Sequence, residues 1–249
     1  FLFFGAGLYL PRSLLRGVRS IEPLLQISQS LDIILLFLPH NCMFNQIIFL
    51  YIIIVISAVF HEYAHGFIAY HLGDSTAKDA GRLTLNPLVH MDLFGTVIMP
   101  LFLLFTGGIF IGYAKPVPYN PNNLIDKKYG SLKVAVAGPV SNLFIALVLG
   151  LFLRFFSGAV LASGIIPPNF LSLIALIVYI NIILALFNLL PFPPLDGSKI
   201  FADLFPRYGH YIMNLGISGL ILALLVAFLI FPKLISLIFY LVTGQQFSS

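Results

Sequence analysis

From Ile47 to Phe60 the chain carries no charge and almost no polar group, and this run ends in His61-Glu62-Tyr63-Ala64-His65. A stretch of that length and character favours a helix in a hydrocarbon environment. On such a helix His61 and His65 are four residues apart, so both imidazoles leave the same face. Two imidazoles placed in this way can grip one Zn²⁺, and Glu62 beside them can take a proton from water. Ionisable side chains are costly at membrane depth, so three of them on one apolar helix mark a functional site.

Composition sets the environment. Of 249 residues, 59% are hydrophobic and 9% charged, against about 25% charged in a soluble domain. The chain therefore reads as an all-α, polytopic membrane protein. The net charge of +4 is spread over loops, which suits anionic headgroups better than nucleic acid. A single cysteine, Cys42, excludes an internal disulfide and a cysteine-based zinc cluster.

The hydrophobic pattern predicts about four transmembrane helices. The first runs from Phe44 to about His71 and stops before Gly73; the others cover Leu132–Phe156, Leu171–Leu190 and about Tyr211–Ile230. Residues 233–243 are too short to cross alone. Between the first and second spans, 93–112 is apolar but broken by Pro100, Gly107 and Gly108. Leu83-Thr84-Leu85 alternates like a short strand, and Lys115-Pro116-Val117-Pro118 reads as an extended edge. The segment is thus expected to be re-entrant and strand-containing. Before Met43, no piece is long enough to span. Residues 1–42 are expected to be an extension, from an upstream reading frame or a truncated start, on a domain covering 43–249.

A catalytic zinc takes three protein ligands and leaves one position open. Glu22 and Glu62 are the sole glutamates, so a third ligand must be Asp or His. His71 falls about 280° round the helix from His61, on a different face from His65. His90 and Asp92 read as a hydrogen-bonded turn. Asp196 is the best candidate: it follows a full-length span and the helix-breaking Pro191–Pro194 cluster, where irregular backbone can line a cavity. The competing role for Asp196 is as N-cap of a short helix, Ser198–Phe205.

For Asp196 to meet the imidazoles, the first and third spans must end on one membrane face, so 93–112 must not cross. Lys78, Arg82, Lys115, Lys127, Lys128, Lys133, Lys199 and Arg207 then share that face, with Arg154 and Lys233 on the other. A full crossing removes this bias. The asymmetry places the site on the cytoplasmic side of a cell membrane.

In order, HEYAHG, GRLTLNP, AKPVPYNP, AGPVSN and FNLLPFPPLDG resemble the site-2 protease family of intramembrane zinc metalloproteases. The closest pattern is its short prokaryotic group without PDZ or cystathionine-synthase-type domains. The likeness runs from about Met43 to Asp203. It implies one zinc on His61, His65 and Asp196, with Glu62 as catalytic base. It also implies Asn188, in the FN-x-x-P stretch, and Asn142, in the GPxxN motif, as substrate-binding residues. The implied reaction is regulated hydrolysis of peptide bonds in or near the transmembrane segment of a single-span protein or peptide. Leu83–Leu85 and Lys115–Val117 would pair with the unwound substrate. A prenyl-peptide-type protease lacks the later glutamate it needs here. A transporter or a non-catalytic metal-binding scaffold leaves Glu62 unexplained.

Overall fold

The computed structural model describes residues 4–5, 43–92, 96, 109–110, 115–165 and 167–245. Most of the expected 1–42 extension and of the 93–112 segment lies outside the described residues. The described chain is helical. Eight helices follow in order: α1 (Met43–His71), α2 (Thr76–Asp79), α3 (Pro87–His90), α4 (Gly130–Ser163), α5 (Pro168–Asn188), α6 (Asp196–Leu204), α7 (Pro206–Met213) and α8 (Gly216–Thr243). The only strand pairing among the described residues joins β1 (Phe4–Gly5) to β2 (Ile109–Phe110).

Among the described residues, four helices, α1, α4, α5 and α8, are long and apolar enough to cross a membrane. Of these, α5 is the most enclosed. Val178, Ile180, Ile182 and Ala185 have no exposed surface, so it is buried nearly all round. Its Ile174, Val178 and Ile182 pack with Ala146 and Leu153 of α4 and with Ala223, Ile235 and Phe239 of α8. Its Ile180 and Leu184 pack with Ile53 and Ile54 of α1. Phe144, Phe155, Ile221 and Leu229 point outward, giving the bundle an apolar rim suited to lipid.

The fourth span differs from expectation. The sequence pattern put it at about Tyr211–Ile230, with 233–243 too short to cross. Instead α8 continues through Pro232 to Thr243, and Pro206–Met213 forms the separate α7. Apolar residues continue on both sides of Pro232, and the carbonyl of Pro232 is taken by the Ser236 hydroxyl at 2.8 Å. In a packed apolar bundle one missing N–H does not end a helix.

The expected strand at Leu83–Leu85 is a bend. The Thr84 carbonyl is taken by the His90 ring at 2.7 Å, and Arg82 donates to the Val89 carbonyl at 2.7 Å. These two bonds close the loop on itself. Lys115–Pro118, expected as an extended edge, belongs to no helix or ladder, and its two N–H groups are spent inside the chain. Lys115 donates to the His90 carbonyl (3.0 Å) and Val117 to Glu62 (2.8 Å). Prolines 116 and 118 have none to offer, so the expected edge pairing has no free donor here.

The loop is tied to α1 at its root. Ile125 N–H donates to Leu72 O at 2.8 Å. Fully buried Asp74 accepts from the Asn120 amide (2.7 Å), the Asn123 carboxamide (2.8 Å) and the Thr76 hydroxyl (2.5 Å). The end of α1 and the approach to α4 therefore lie side by side.

Candidate metal centre

Helix α1 presents His61 and His65 one turn apart, their rings edge to face with centroids 4.7 Å apart. The far nitrogen of each ring is held. His65 Nδ1 lies 2.6 Å from the Val134 carbonyl of α4, and His61 Nδ1 lies 2.6 Å from Asn142 Oδ1. Both partners are oxygens that accept, so each Nδ1 carries a ring proton, and in the neutral imidazole each Nε2 then keeps a lone pair.

The third group arrives from the break after α5. At Gly197 a Cβ would stand 2.3 Å from the Leu190 carbonyl and 2.4 Å from that of Leu189. Only glycine allows the PPLDG turn to seat so closely on the end of α5. Asp196 then becomes the first residue of α6. The N-cap is Leu195, so the capping role weighed for Asp196 is not taken up. Its Oδ2 stands 3.0 Å from His61 Nε2 and 3.1 Å from His65 Nε2, while Oδ1 faces the Lys199 ammonium at 3.5 Å.

The two Nε2 atoms are themselves 3.1 Å apart. Three lone-pair donors thus form a triangle about 3 Å on a side, buried to more than nine-tenths. Bonds of about 2.0–2.1 Å in a tetrahedral shell put ligands a little over 3 Å apart. Neutral imidazoles oriented this way have no proton to share, so the donor set fits a cation. The surroundings fit as well. At Gly138 of α4, a Cβ would fall 2.4 Å from His65 Nε2 and 2.5 Å from His61 Nε2. The absent side chain leaves that side of the triangle open. No other group of three such side chains gathers among the described residues; His71 bonds Phe67 O and His90 bonds Thr84 O.

The triangle opens on a cavity of about 430 Å³ whose wall includes Glu62, Asn188, Lys199, Val117 and Tyr119. Glu62 Oε2 accepts the Val117 amide at 2.8 Å, which leaves Oε1 without a partner among the described residues. Asn188 reaches this wall, with Nδ2 bonded back to Leu184 O at 2.9 Å. Asn142, expected against substrate, does not line the cavity. It is fully buried behind His61, because one turn of α4 past Gly138 points into the helix bundle.

Sequence reasoning missed three contributors. Val117 acts through a backbone N–H, which no side-chain pattern reveals. Lys199 looked like a loop charge. Asn181 was the legible one, as a carboxamide in the middle of an apolar span.

The family description "Peptidase family M50" matches residues 165–232, from the start of α5 into α8. The chain is 40% identical over 162 residues to "Putative zinc metalloprotease YwhC" of Bacillus subtilis, covering 64% of this chain and 69% of that protein. It is 35% identical over 146 residues to "Putative zinc metalloprotease Rip2" of Mycolicibacterium smegmatis, covering 57% and 52%. "Zinc metalloprotease MJ0392" of Methanocaldococcus jannaschii is 27% identical over 181 residues, covering 72% of this chain and 40% of that one. No solved structure matches at a significant level. With four helices among its described residues long and apolar enough to cross a membrane, the chain belongs to peptidase family M50, the intramembrane zinc metalloproteases.

Proposed function

We propose that His61, His65 and Asp196 hold the zinc of this protease, within a domain spanning 43–249, and that Glu62 is its general base. The observation that carries this reading is the triangle of Nε2, Nε2 and Oδ2 at 3.0–3.1 Å, beside a glutamate on the same cavity wall. Zinc at that position supplies a Lewis acid that polarises the scissile carbonyl and makes water a stronger acid.

The chain's own groups do the rest. Glu62, steadied through Oε2 by Val117, takes a proton from the attacking water on its other oxygen and passes it to the leaving amine. Asn188 presents its second N–H and its carbonyl to the substrate backbone; an N–H there steadies charge growing on the carbonyl oxygen. A helical substrate has its carbonyls bonded internally, so it must unwind locally before either group can reach it. The substrate class is a single-span membrane protein, or a peptide derived from one.

The site opens toward the cytoplasm in this reading, on the face where α1 ends and α4 begins. Two observations support that topology. The Ile125–Leu72 hydrogen bond sets the end of α1 beside the approach to α4, so these two ends share one face. Arg154 bonds the Leu241 carbonyl at the far end of α4 and α8, away from the loop lysines. The test is co-expression with a panel of single-span substrates. The wild type should cleave at least one within or near its span, and Glu62→Gln should cleave none. Unchanged cleavage by Glu62→Gln would refute the assignment.

A further inference from the structure

His65 and His61 are held differently. The Nδ1 of His65 meets a backbone carbonyl, which can only accept. The Nδ1 of His61 meets a carboxamide, which could present either oxygen or nitrogen. What decides the face that Asn142 presents lies one step further back, on α5.

Asn181 Nδ2 stands 2.8 Å from the Ile177 carbonyl and 3.0 Å from the Ser57 hydroxyl oxygen. A carbonyl demands a donor, so this atom is the amide nitrogen and both its hydrogens are used. Asn181 Oδ1 must then accept, and Asn142 Nδ2 supplies it at 2.8 Å. The same Asn142 nitrogen lies 3.4 Å from the Ser57 carbonyl, a second acceptor. Asn142 is thereby turned with its oxygen toward His61, where it takes the Nδ1 proton at 2.6 Å. Ser57, Asn142 and Asn181 are each buried to 4% exposure or less. Reversing any one amide would leave donor facing donor in a place without water, at a cost of about 1–3 kcal/mol per unmet group.

We infer that Asn181 and Asn142 are positioning residues that fix the tautomer of His61, so that its Nε2 is always the lone pair offered to the metal. This inference deepens the zinc-ligand reading and rests on it. Asn142 acts on His61 directly. Asn181 acts on the ring through Asn142, from a different helix and without touching the imidazole. Without Asn181, only the long 3.4 Å contact to the Ser57 carbonyl still orients Asn142, and its nitrogen can turn toward His61. That stabilises the opposite tautomer, whose protonated Nε2 cannot ligate.

The test uses the full-length protein in detergent micelles and reads zinc affinity by chelator competition. Asn142→Leu and Asn181→Leu should each weaken zinc binding about 10- to 100-fold, as loss of such outer partners does elsewhere. Thr243→Val removes an equally buried hydrogen bond on α8, to the Phe239 carbonyl, and should leave zinc affinity unchanged. Affinity in Asn181→Leu within twofold of wild type overturns the inference. So does an equal loss in Thr243→Val, which would make the effect one of general packing. Because the leucine variants can fail to fold, a second measurement uses the wild type alone. Histidine-selective ¹⁵N spectra should show His61 protonated at Nδ1 and bare at Nε2, and the reverse assignment overturns the inference. A His61→Ala variant that still binds zinc at wild-type affinity would instead defeat the ligand reading itself.

Discussion

The backbone amide of Val117 donates to the Glu62 carboxylate at 2.8 Å, so the residue beside the two imidazoles is steadied by a loop 55 positions later. The contact is close because Gly66, on the next turn of α1, leaves room: a Cβ there would meet Val117 Cγ1 at 3.0 Å. The flanking prolines hold the strap extended.

That relationship predicts a separation between side chain and backbone. Val117→Ala keeps the amide and should retain most of the activity. Val117→Pro, or an ester in place of that amide, removes the donor and should lower kcat about tenfold, equivalent to one hydrogen bond of about 1.4 kcal/mol. Zinc content, measured by atomic absorption, should not change in either. Equal activity in the alanine and proline variants would show that the contact does not steady Glu62.

A second prediction follows from the open side of the triangle. In Gly138→Ala the new methyl would stand about 2.4 Å from His65 Nε2 and 2.5 Å from His61 Nε2. Neither imidazole can retreat without losing its Nδ1 partner. The variant should bind zinc at least 100-fold more weakly, while circular dichroism shows the helices intact. Alanine is a better helix former than glycine by about 1 kcal/mol, so destabilisation of α4 cannot account for such a loss.

The sequence disclosed these features unevenly, for physical reasons. Helices α1, α4 and α5 were legible because each is a predominantly apolar run of spanning length. The HExxH spacing likewise announced two imidazoles on one face. The fourth span was misplaced because 233–243, taken alone, is too short to cross. The helix runs through Pro232 and joins that stretch to the apolar run before it. Leu83–Leu85 alternated like a strand, but alternation cannot register that His90 and Arg82 take up the loop's carbonyls. The GPxxN motif was visible without its logic. Gly138 is small because the histidines need the space, and Asn142 faces a histidine instead of the cavity. Both facts depend on two helices meeting, which local pattern does not contain.

Asp196 and Lys199 give a third prediction. The carboxylate divides its oxygens, Oδ2 toward the imidazoles and Oδ1 toward the lysine. Asp196→Asn keeps the shape but removes the charge, and the bound zinc should fall from one per chain toward none on dialysis against a weak chelator. Lys199→Met leaves the ligating oxygen in place, so zinc should remain stoichiometric and its affinity should change by less than tenfold. If the two variants lose zinc equally, the lysine helps hold the site together and the division of oxygens is not what matters.

The final prediction concerns acid. Burial alone would raise the Asp74 carboxyl, but hydrogen bonds from the Thr76 hydroxyl, the Asn120 amide, the Asn123 carboxamide and the Thr76 amide hold it below the ordinary carboxylate range. Its folded value is therefore lower than its unfolded value of about 3.9. As pH falls past the unfolded value, the unfolded chain takes up the proton first, so stability declines with falling pH until the folded carboxyl also protonates. The contribution is complete above about pH 5 and disappears below the depressed value. Because Asp74 fastens Asn120 and Asn123, it anchors the strap that carries Val117 to Glu62. Limited proteolysis of the 73–129 loop in micelles should speed up as the wild type is taken from pH 5 to 3. In Asp74→Asn the rate should be raised already at pH 7, consistent with loss of about 1–3 kcal/mol from a charge-assisted network, and its pH dependence over that window should flatten. A parallel acid response in both proteins would place the sensitive group elsewhere in the loop.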